Sequence, residues 1–364
     1  MTGAGAAGGE CVIGIDVGGT MLKGGVCDRD AAIVHGERRR TARDDAEALV
    51  DGIVALAGDL AAEGRRRFGA DGVAGIGLAV PGLVDETRGV ALRAVNLPWR
   101  DLALAAVVGA RLGLPALLSH DVRAAAAAEA ALGAGRASDD FLFVAIGTGI
   151  GAAIVHGGRP FLGAHGRAGE LGHVVVEPDG PPCGCGARGC LEAIASAAAI
   201  ERGYAAGGGG GGVGGDGRAG EGGGGRAGAG DGESDRAAAG ASAREVAALA
   251  QAGDPVASEV WARAARALGA ALSDAVALLD PGLVVVGGGL AEAGAQLLDP
   301  VAAELAARSR LGPPPRVVAA ELGADAGCRG AALLAWRTLE SARTWVPNTR
   351  PPPARRDRHD AHPP

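Results

Sequence analysis

Residues 12 to 27 read VIGIDVGGTMLKGGVC, and residues 141 to 158 read FLFVAIGTGIGAAIVHGG. Each stretch is an apolar strand, a turn of glycine and threonine, and a second strand. A strand follows the glycines in both places. Walker loops and dinucleotide fingerprints need a helix there, so neither is present. Gly18 and Gly19 allow backbone N–H groups to approach an anion closely, although an ordinary Gly-Gly hairpin would look the same. The same grammar twice in one chain reads as an internal repeat. Two homologous α/β halves would each offer one hairpin to a shared cleft.

The remaining elements alternate between the two types. Residues 44 to 63 form an amphipathic helix, capped by Asp44 or Asp45, with Leu49, Val50, Ile53, Val54, Ala57 and Leu60 on one face. Residues 73 to 80 form a buried strand ending at Pro81-Gly82. A helix over 101–112 and a strand over 115–119 follow. That strand delivers His120-Asp121 to an alanine-rich helix closed by Gly133, and Asp121 is a candidate N-cap. A carboxylate fixed at a helix start stays ionised in the helix dipole and can accept a proton from a hydroxyl. A short helix runs from about Leu191 to Tyr204. Residues 205–241 are Gly- and Ala-rich and bury too little apolar surface to order themselves, so they read as a disordered insert. Ser242 and Glu245 form a capping box, and Asp254-Pro255 starts a long helix through Leu279. LVVVGGGL, residues 283–290, is a strand, three glycines and a helix start. A strand over 316–322 and a helix over 327–342 complete the ordered part. The domains expected are 11–120 and 121–326, with a helix at 327–345 and disordered ends at 1–10 and 346–364.

Between the second hairpin and the insert lies GELGHVVVEPDGPPCGCGARGCLE, residues 169–192. It holds His173, Cys183, Cys185 and Cys190 in an H-x9-C-x-C-x4-C pattern. Four nitrogen and sulfur donors fill a tetrahedron, the form of a closed structural zinc site. Such a site leaves Glu170 and Glu192 free for another task. The plainer alternative is a zinc knuckle that only ties down a loop.

Composition narrows the function. Net charge is −7 without a basic stripe, against nucleic acid as a partner. Aromatics are 2% of residues, so the core is built from Ala, Val, Leu and Ile. The start, MTGAGAAGGE, is not a signal peptide, and FLFVAIGTGIGAAIV is too short and glycine-broken to span a bilayer. Of six cysteines three are clustered, which points to a reducing cytoplasm; Cys11, Cys27 and Cys328 read as small buried apolar residues. The chain is Arg-rich with a single lysine, Lys23. Lysine is a compact point charge suited to a phosphate.

GELGH followed by CGCGARGCLE resembles the signature of the ROK family (repressors, unassigned frames and sugar kinases), and the resemblance runs from about residue 11 to 342 apart from the insert. DxGGTxxK is similar to the first phosphate motif of the actin, hexokinase and Hsp70 ATPase superfamily. The resemblance implies a two-domain ribonuclease-H-like fold with an inter-domain cleft. It implies a hexose 6-kinase, a glucokinase by default, with N-acetylmannosamine or N-acetylglucosamine as alternative sugars. It assigns ATP phosphate contacts to Gly18, Gly19, Thr20 and Lys23, and from the second hairpin to Thr148, Gly149 and Gly151. Asp16 would lie near magnesium, and Gly287, Gly288 and Gly289 against adenosine. Asp121 would be the catalytic base. Sugar contacts would come from Gly82, Asn96, His120, Glu170, His173 and Glu192, with His173 also a zinc ligand. His120 stands where the family usually has Asn, which bears on sugar identity. A homodimer is the family's common state. Two other readings remain: a sugar-sensing repressor, for which little room precedes Val12, and a sugar-binding regulator without catalysis.

Overall fold

The computed structural model describes residues 9–208, 240–310 and 312–344. The chain opens with β1 (Cys11–Val17), β2 (Met21–Cys27) and β3 (Ile33–Arg40), then α1 (Ala46–Phe68) and β4 (Val73–Val80). Three short strands, β5 (Leu83–Asp85), β6 (Val90–Arg93) and β7 (Arg100–Leu102), form a small sheet of their own. Next come α2 (Leu104–Leu112), β8 (Ala116–His120) and α3 (Asp121–Leu132). The second half has β9 (Phe141–Ile146), β10 (Ile150–His156), β11 (Arg159–Pro160), α4 (Leu191–Ala195), α5 (Ala197–Ala206), α6 (Ala243–Gln251) and α7 (Pro255–Leu279). It ends with β12 (Leu283–Gly287), α8 (Ala295–Arg308), β13 (Arg316–Ala319) and α9 (Ala326–Thr344).

The two large sheets have one topology. The first runs β3-β2-β1-β4-β8 and the second β11-β10-β9-β12-β13. In each, an antiparallel set leads into two parallel strands at the far side. The repeat read from the two glycine turns is therefore a repeat of whole sheets. This is the two-domain arrangement of actin- and hexokinase-like proteins.

Period-two patterning sorts each strand's side chains between layers. On β1, Ile13 and Ile15 face α1 and pack with Leu49, Ile53, Leu56 and Leu60. Val12 faces the other way, toward Cys328, Ala332 and Trp336 of α9. On the second sheet, Leu142, Val144, Val284 and Val286 pack with Trp261, Leu268 and Leu272 of α7, while Phe141, Phe143 and Val285 face Ala126 of α3. Thus α9 and α3 lie between the two sheets.

Small residues make that middle layer thin. A Cβ on Gly14 would lie 2.3 Å from the Cys328 carbonyl oxygen, and one on Gly77 would lie 2.0 Å from that of Ala331. A Cβ on Gly330 would lie 1.8 Å from the Ala124 carbonyl oxygen. The alanine run of α3 is its packing surface. Buried Glu129 fastens the layer: its carboxylate accepts from the backbone N–H groups of Ala134 (2.8 Å), Glu321 (3.2 Å) and Leu322 (2.8 Å).

Several sequence readings shift. Asp121 is not the N-cap: β8 continues through His120, paired with Val80, so His120 takes that place and Asp121 opens the helix. Arg100–Leu102 is strand rather than helix. The helix expected over 191–204 is two, because Ser196 ends α4 and caps α5, its Oγ accepting from Ala199 N–H at 3.1 Å. The strand expected over 316–322 stops at Ala319. Asp45 caps α1, which runs on to Phe68, and the Ser242–Glu245 capping box is present. Helix α5 includes Ala205 and Ala206, at the start of the expected insert; residues 209–239 of that insert and the expected tail from Val346 lie outside the described residues. No helix among the described residues is long and apolar enough to cross a membrane.

Candidate active site

Three neighbouring parallel strands of the first sheet end at one edge. Asp16 pairs with Ala79, and Val80 pairs with His120. The turn at Gly18–Thr20, the Pro81-Gly82 turn and the His120–Asp121 junction therefore share one rim. Crevices at the carboxyl ends of parallel strands are where open α/β sheets bind ligands.

The first turn is held from outside. Thr41 Oγ1 donates to the Gly18 carbonyl at 2.8 Å, and Gly18 N–H donates to the Met21 carbonyl at 3.0 Å. Neither Gly18 nor Gly19 has a positive φ, so this is not the ordinary Gly-Gly hairpin turn. Close approach explains the glycines instead: a Cβ on Gly19 would meet Asn96 Nδ2 at 2.5 Å. Gly82 does need its freedom, with φ of 87° and the Arg93 carbonyl 2.3 Å from where a Cβ would sit.

Lys23 Nζ lies 3.5 Å from Asp16 Oδ2. Burial pushes the Asp16 carboxyl up to about 6, against the pull of Lys23 and with the charge of Asp121 adding to the rise. The head of α9 closes on this pair. Lys23 Nζ donates to the Ala324 carbonyl at 3.4 Å, and a Cβ on Gly327 would lie 2.8 Å from the Asp16 carboxyl carbon.

Asp121 Oδ1 accepts from Val122 N–H at 2.7 Å, and His120 Nδ1 lies 3.3 Å from the same oxygen. Among the described residues Oδ2 has no such partner. The junction is clamped by Glu86, whose Oε1 accepts from Ser119 Oγ (3.1 Å), His120 N–H (3.1 Å) and Arg123 Nε (2.7 Å). Arg123 is buried and also donates to the Gly166 carbonyl at 3.1 Å.

The second sheet brings its own turns to the cleft. Strands β9 and β12 are parallel neighbours, with Gly287 opposite Ala145. The turn containing Thr148 and Gly149 therefore stands beside Gly287–Gly289. Gly288 has φ of 82°, and a Cβ there would strike the Ile146 backbone at 2.4 Å. Successive residues of β10 then gather the other candidates. Ile150 N–H donates to Glu192 Oε2 at 2.9 Å. Gly151 leaves room for Val122, which follows Asp121. Ala152 N–H donates to the carbonyl of Gly169, which precedes Glu170, at 3.0 Å. Asp121, Glu170 and Glu192 thus converge on the head of β10. Glu192 is not wholly free, since one oxygen already serves Ile150.

The four expected metal ligands also meet. Donor atoms of His173, Cys183, Cys185 and Cys190 all lie within 4.8 Å of one another. His173 Nδ1 is 3.7 Å from Cys183 Sγ, and Cys185 Sγ is 3.7 Å from Cys190 Sγ. Sulfurs bound to one tetrahedral zinc at about 2.3 Å would stand about 3.8 Å apart, so the residues fit that ion. Burial pushes the Cys190 thiol up to about 12, so three thiolates in one place require a cation. The other imidazole nitrogen of His173 points toward Glu170, at 3.9 Å. Cys11, Cys27 and Cys328 are buried elsewhere.

Sequence reasoning missed Glu86, Arg123 and Gly327. No motif marks Glu86, which follows PGLVD in a turn. Arg123 sits two residues after Asp121, and its burial against a carboxylate is a tertiary fact.

The chain is similar to known proteins over most of its length. The model of the ROK family matches residues 12–338. A glucokinase of Streptomyces coelicolor is 36% identical over 327 residues, 89% of this chain and 96% of that protein. An N-acetylmannosamine kinase of Shigella flexneri is 33% identical over 328 residues, 89% of this chain and 98% of that protein. The crystal structure of a ROK family glucokinase from Streptomyces griseus in complex with glucose and AMPPNP superposes with a TM-score of 0.72 at 33% identity, covering 90% of this chain and 99% of that one.

Proposed function

The chain belongs to the ROK family and is an ATP-dependent sugar kinase; from that premise we propose that it is a hexose 6-kinase acting on glucose, with Asp121 as general base. The observation that carries this is the carboxylate at the cleft rim with Oδ1 engaged by Val122 N–H. Oδ2 then accepts the proton of the sugar's 6-hydroxyl as that oxygen attacks the γ-phosphorus of ATP in line and ADP leaves. His120 stands beside Oδ1 and limits the carboxylate's rotation. Backbone amides of Gly18, Gly19, Thr20, Thr148, Gly149 and Gly151, together with Lys23, hold the phosphates. Positioning and electrostatics supply most of phosphoryl-transfer catalysis. Gly287, Gly288 and Gly289 leave room for the adenosine. Asp16 is the residue that would hold magnesium, which when bound neutralises charge on the phosphates.

Gly82, Asn96, His120, Glu170, His173 and Glu192 form the sugar side. His173, Cys183, Cys185 and Cys190 would hold zinc, and the ion would brace the loop that aims Glu170 and the free imidazole nitrogen at sugar hydroxyls. The second reading is an N-acetylmannosamine kinase, favoured by the relative of that name; His120 in place of the family's usual Asn leaves the sugar identity open. Coupled ADP release with glucose, N-acetylmannosamine and N-acetylglucosamine separates the two. The proposal expects the highest kcat/KM for glucose, and Asp121→Asn should remove turnover while sugar binding persists. A variant that still turns over would disprove the base assignment; absence of turnover with every hexose would leave a binder instead.

A further inference from the structure

Arg123, in the first turn of α3, reaches into both lobes. It is 3% exposed and stands two positions after Asp121. Its Nε donates to Glu86 Oε1 at 2.7 Å, and its Nη1 donates to the Gly166 carbonyl at 3.1 Å. Glu86 belongs to the turn after β5, in the first lobe. Gly166 belongs to the stretch between β11 and Glu170, in the second. The remaining terminal nitrogen of Arg123 is buried with no hydrogen-bond partner among the described residues. One guanidinium therefore joins the two lobes from the middle layer, with its charge matched by Glu86.

Each partner leads to a group proposed for the reaction. Glu86 Oε1 also accepts from Ser119 Oγ and His120 N–H, both at 3.1 Å, so this one oxygen holds the backbone that leads into Asp121. The turn carrying Glu86 is itself braced: Asp85 Oδ1 accepts from Thr87 Oγ1 at 2.7 Å and from Arg88 N–H at 3.1 Å. At the other end, Gly166 stands four residues before Glu170. It has φ of 67°, and a Cβ there would lie 3.4 Å from the Val84 carbonyl oxygen of β5. The residues between are pinned as well. Ala168 N–H donates to the Leu162 carbonyl at 3.1 Å. Gly169 has φ of 95°, and a Cβ there would lie 2.2 Å from the Ala152 carbonyl oxygen. Little slack separates the Arg123 contact from Glu170.

A buried ion pair is weak evidence for stability, because desolvation offsets much of its attraction. Geometry is the better reason for this one. Lysine would supply the same charge from a single point, whereas arginine offers a planar fork whose nitrogens serve two acceptors at once. We infer that Arg123, held by Glu86, is a positioning residue that sets the separation between the Asp121 carboxylate and the loop carrying Glu170. This role rests on the reading of Asp121 as base and Glu170 as sugar ligand. Proton transfer needs the hydroxyl within hydrogen-bond reach of its acceptor, and a misplacement of about 1 Å can cost on the order of a hundredfold in rate. Arg123 acts through these two groups and is not among the residues proposed to touch sugar or phosphate.

Steady-state kinetics and thermal unfolding of two variants test it. In the double variant Glu86→Gln, Arg123→Met both buried charges leave together and an unbranched apolar chain remains, so the melting temperature should stay within a few degrees of wild type. Its kcat should nevertheless fall at least tenfold, with KM for sugar raised and KM for ATP within about twofold, since the phosphate turns are untouched. Arg123→Lys keeps the charge beside Glu86 but cannot hold Gly166 as well. It should show the same split with a fivefold or greater loss of kcat, and it decides the matter if the double variant does not fold. A kcat within twofold of wild type in a folded variant would overturn the positioning role. So would an equal loss of affinity for ATP, which would mean general disorder of the cleft. Asp121→Asn keeps the two failures apart: turnover retained there sinks the base assignment, whereas turnover lost there but kept in both Arg123 variants sinks only the role of Arg123.

Discussion

A carboxyl group that resists ionisation sits where we propose that magnesium is held. Burial raises Asp16 to about 6, above the ordinary unfolded value of about 4. Its contribution to stability is therefore complete below pH 4 and is lost as pH rises through 6. At pH 7.5 the ionised group costs about 3 kcal/mol by that shift, an upper bound. Asp16→Asn is expected to raise the melting temperature by a few degrees at pH 7.5 without magnesium and to give no gain at pH 4, while abolishing turnover. An unchanged melting temperature at pH 7.5 would contradict the burial argument. Magnesium affinity should also weaken as pH falls through 6, because proton and cation compete for one carboxylate. Beside Asp121, the proposed base, His120 stands 3.3 Å from Oδ1. Asparagine can reach the same oxygen, so His120→Asn should keep kcat within about threefold and shift KM between sugars. His120→Ala removes the imidazole that stands beside Oδ1 and should lose about tenfold in kcat, roughly 1.4 kcal/mol. If His120→Ala and His120→Asn behave alike, the imidazole does not position the base.

At the scale of elements, glycines decide how closely helices dock. A Cβ on Gly77 would strike the Ala331 backbone of α9. Backbone cannot swing aside as a side chain can, so Gly77→Ala should cost about 3 kcal/mol, at the top of the usual overpacking range. It should also lower activity, because α9 carries Gly327 against Asp16. Gly58 in α1 is a control: its added Cβ would meet Leu112 at an ordinary 3.5 Å, and Gly58→Ala should stabilise by up to about 1 kcal/mol. Urea midpoints of the two variants on the same side of wild type would refute this reading of the middle layer. Chelation, or Cys183→Ser, should raise KM for sugar and lower the melting temperature together, since one loop carries the ligands, Glu170 and the turn before Glu192. The sequence made several of these elements legible and hid others for physical reasons. Long periodic helices such as Pro255–Leu279 declare both ends by Asp-Pro and a change of pattern. Strands β5, β6, β7 and β11 are two to four residues long and have no period to detect. The cluster of His173, Cys183, Cys185 and Cys190 was readable because thiols at short spacing have few other uses. Glu86 and Glu129 were not, because what a carboxylate binds is known only when its distant donors are known.

For the whole molecule, the order of the chain does not match the order of packing. The first sheet is covered on one face by α1 and on the other by α9, from the far end of the sequence. Helix α3 follows the first sheet in sequence yet packs on the second. Glu129 of α3 binds the backbone of residues 321 and 322, just before α9 begins. Each lobe therefore completes its core with a helix that also touches the other lobe. Two-lobed proteins often unfold in steps, but here the shared layer couples the steps. Guanidinium unfolding followed by single-tryptophan reporters should give one midpoint for Trp261, on α7, and Trp336, on α9. Each is seated by an indole N–H bond, to the Gln296 carbonyl at 3.0 Å and the Asp28 carbonyl at 2.8 Å. Glu129→Ala, which strands three backbone donors, should lower both midpoints or split them, with the first lobe lost first because α9 loses its anchor. Midpoints already separate in the wild-type background would mean that the lobes are stable on their own and that the middle layer is only a hinge.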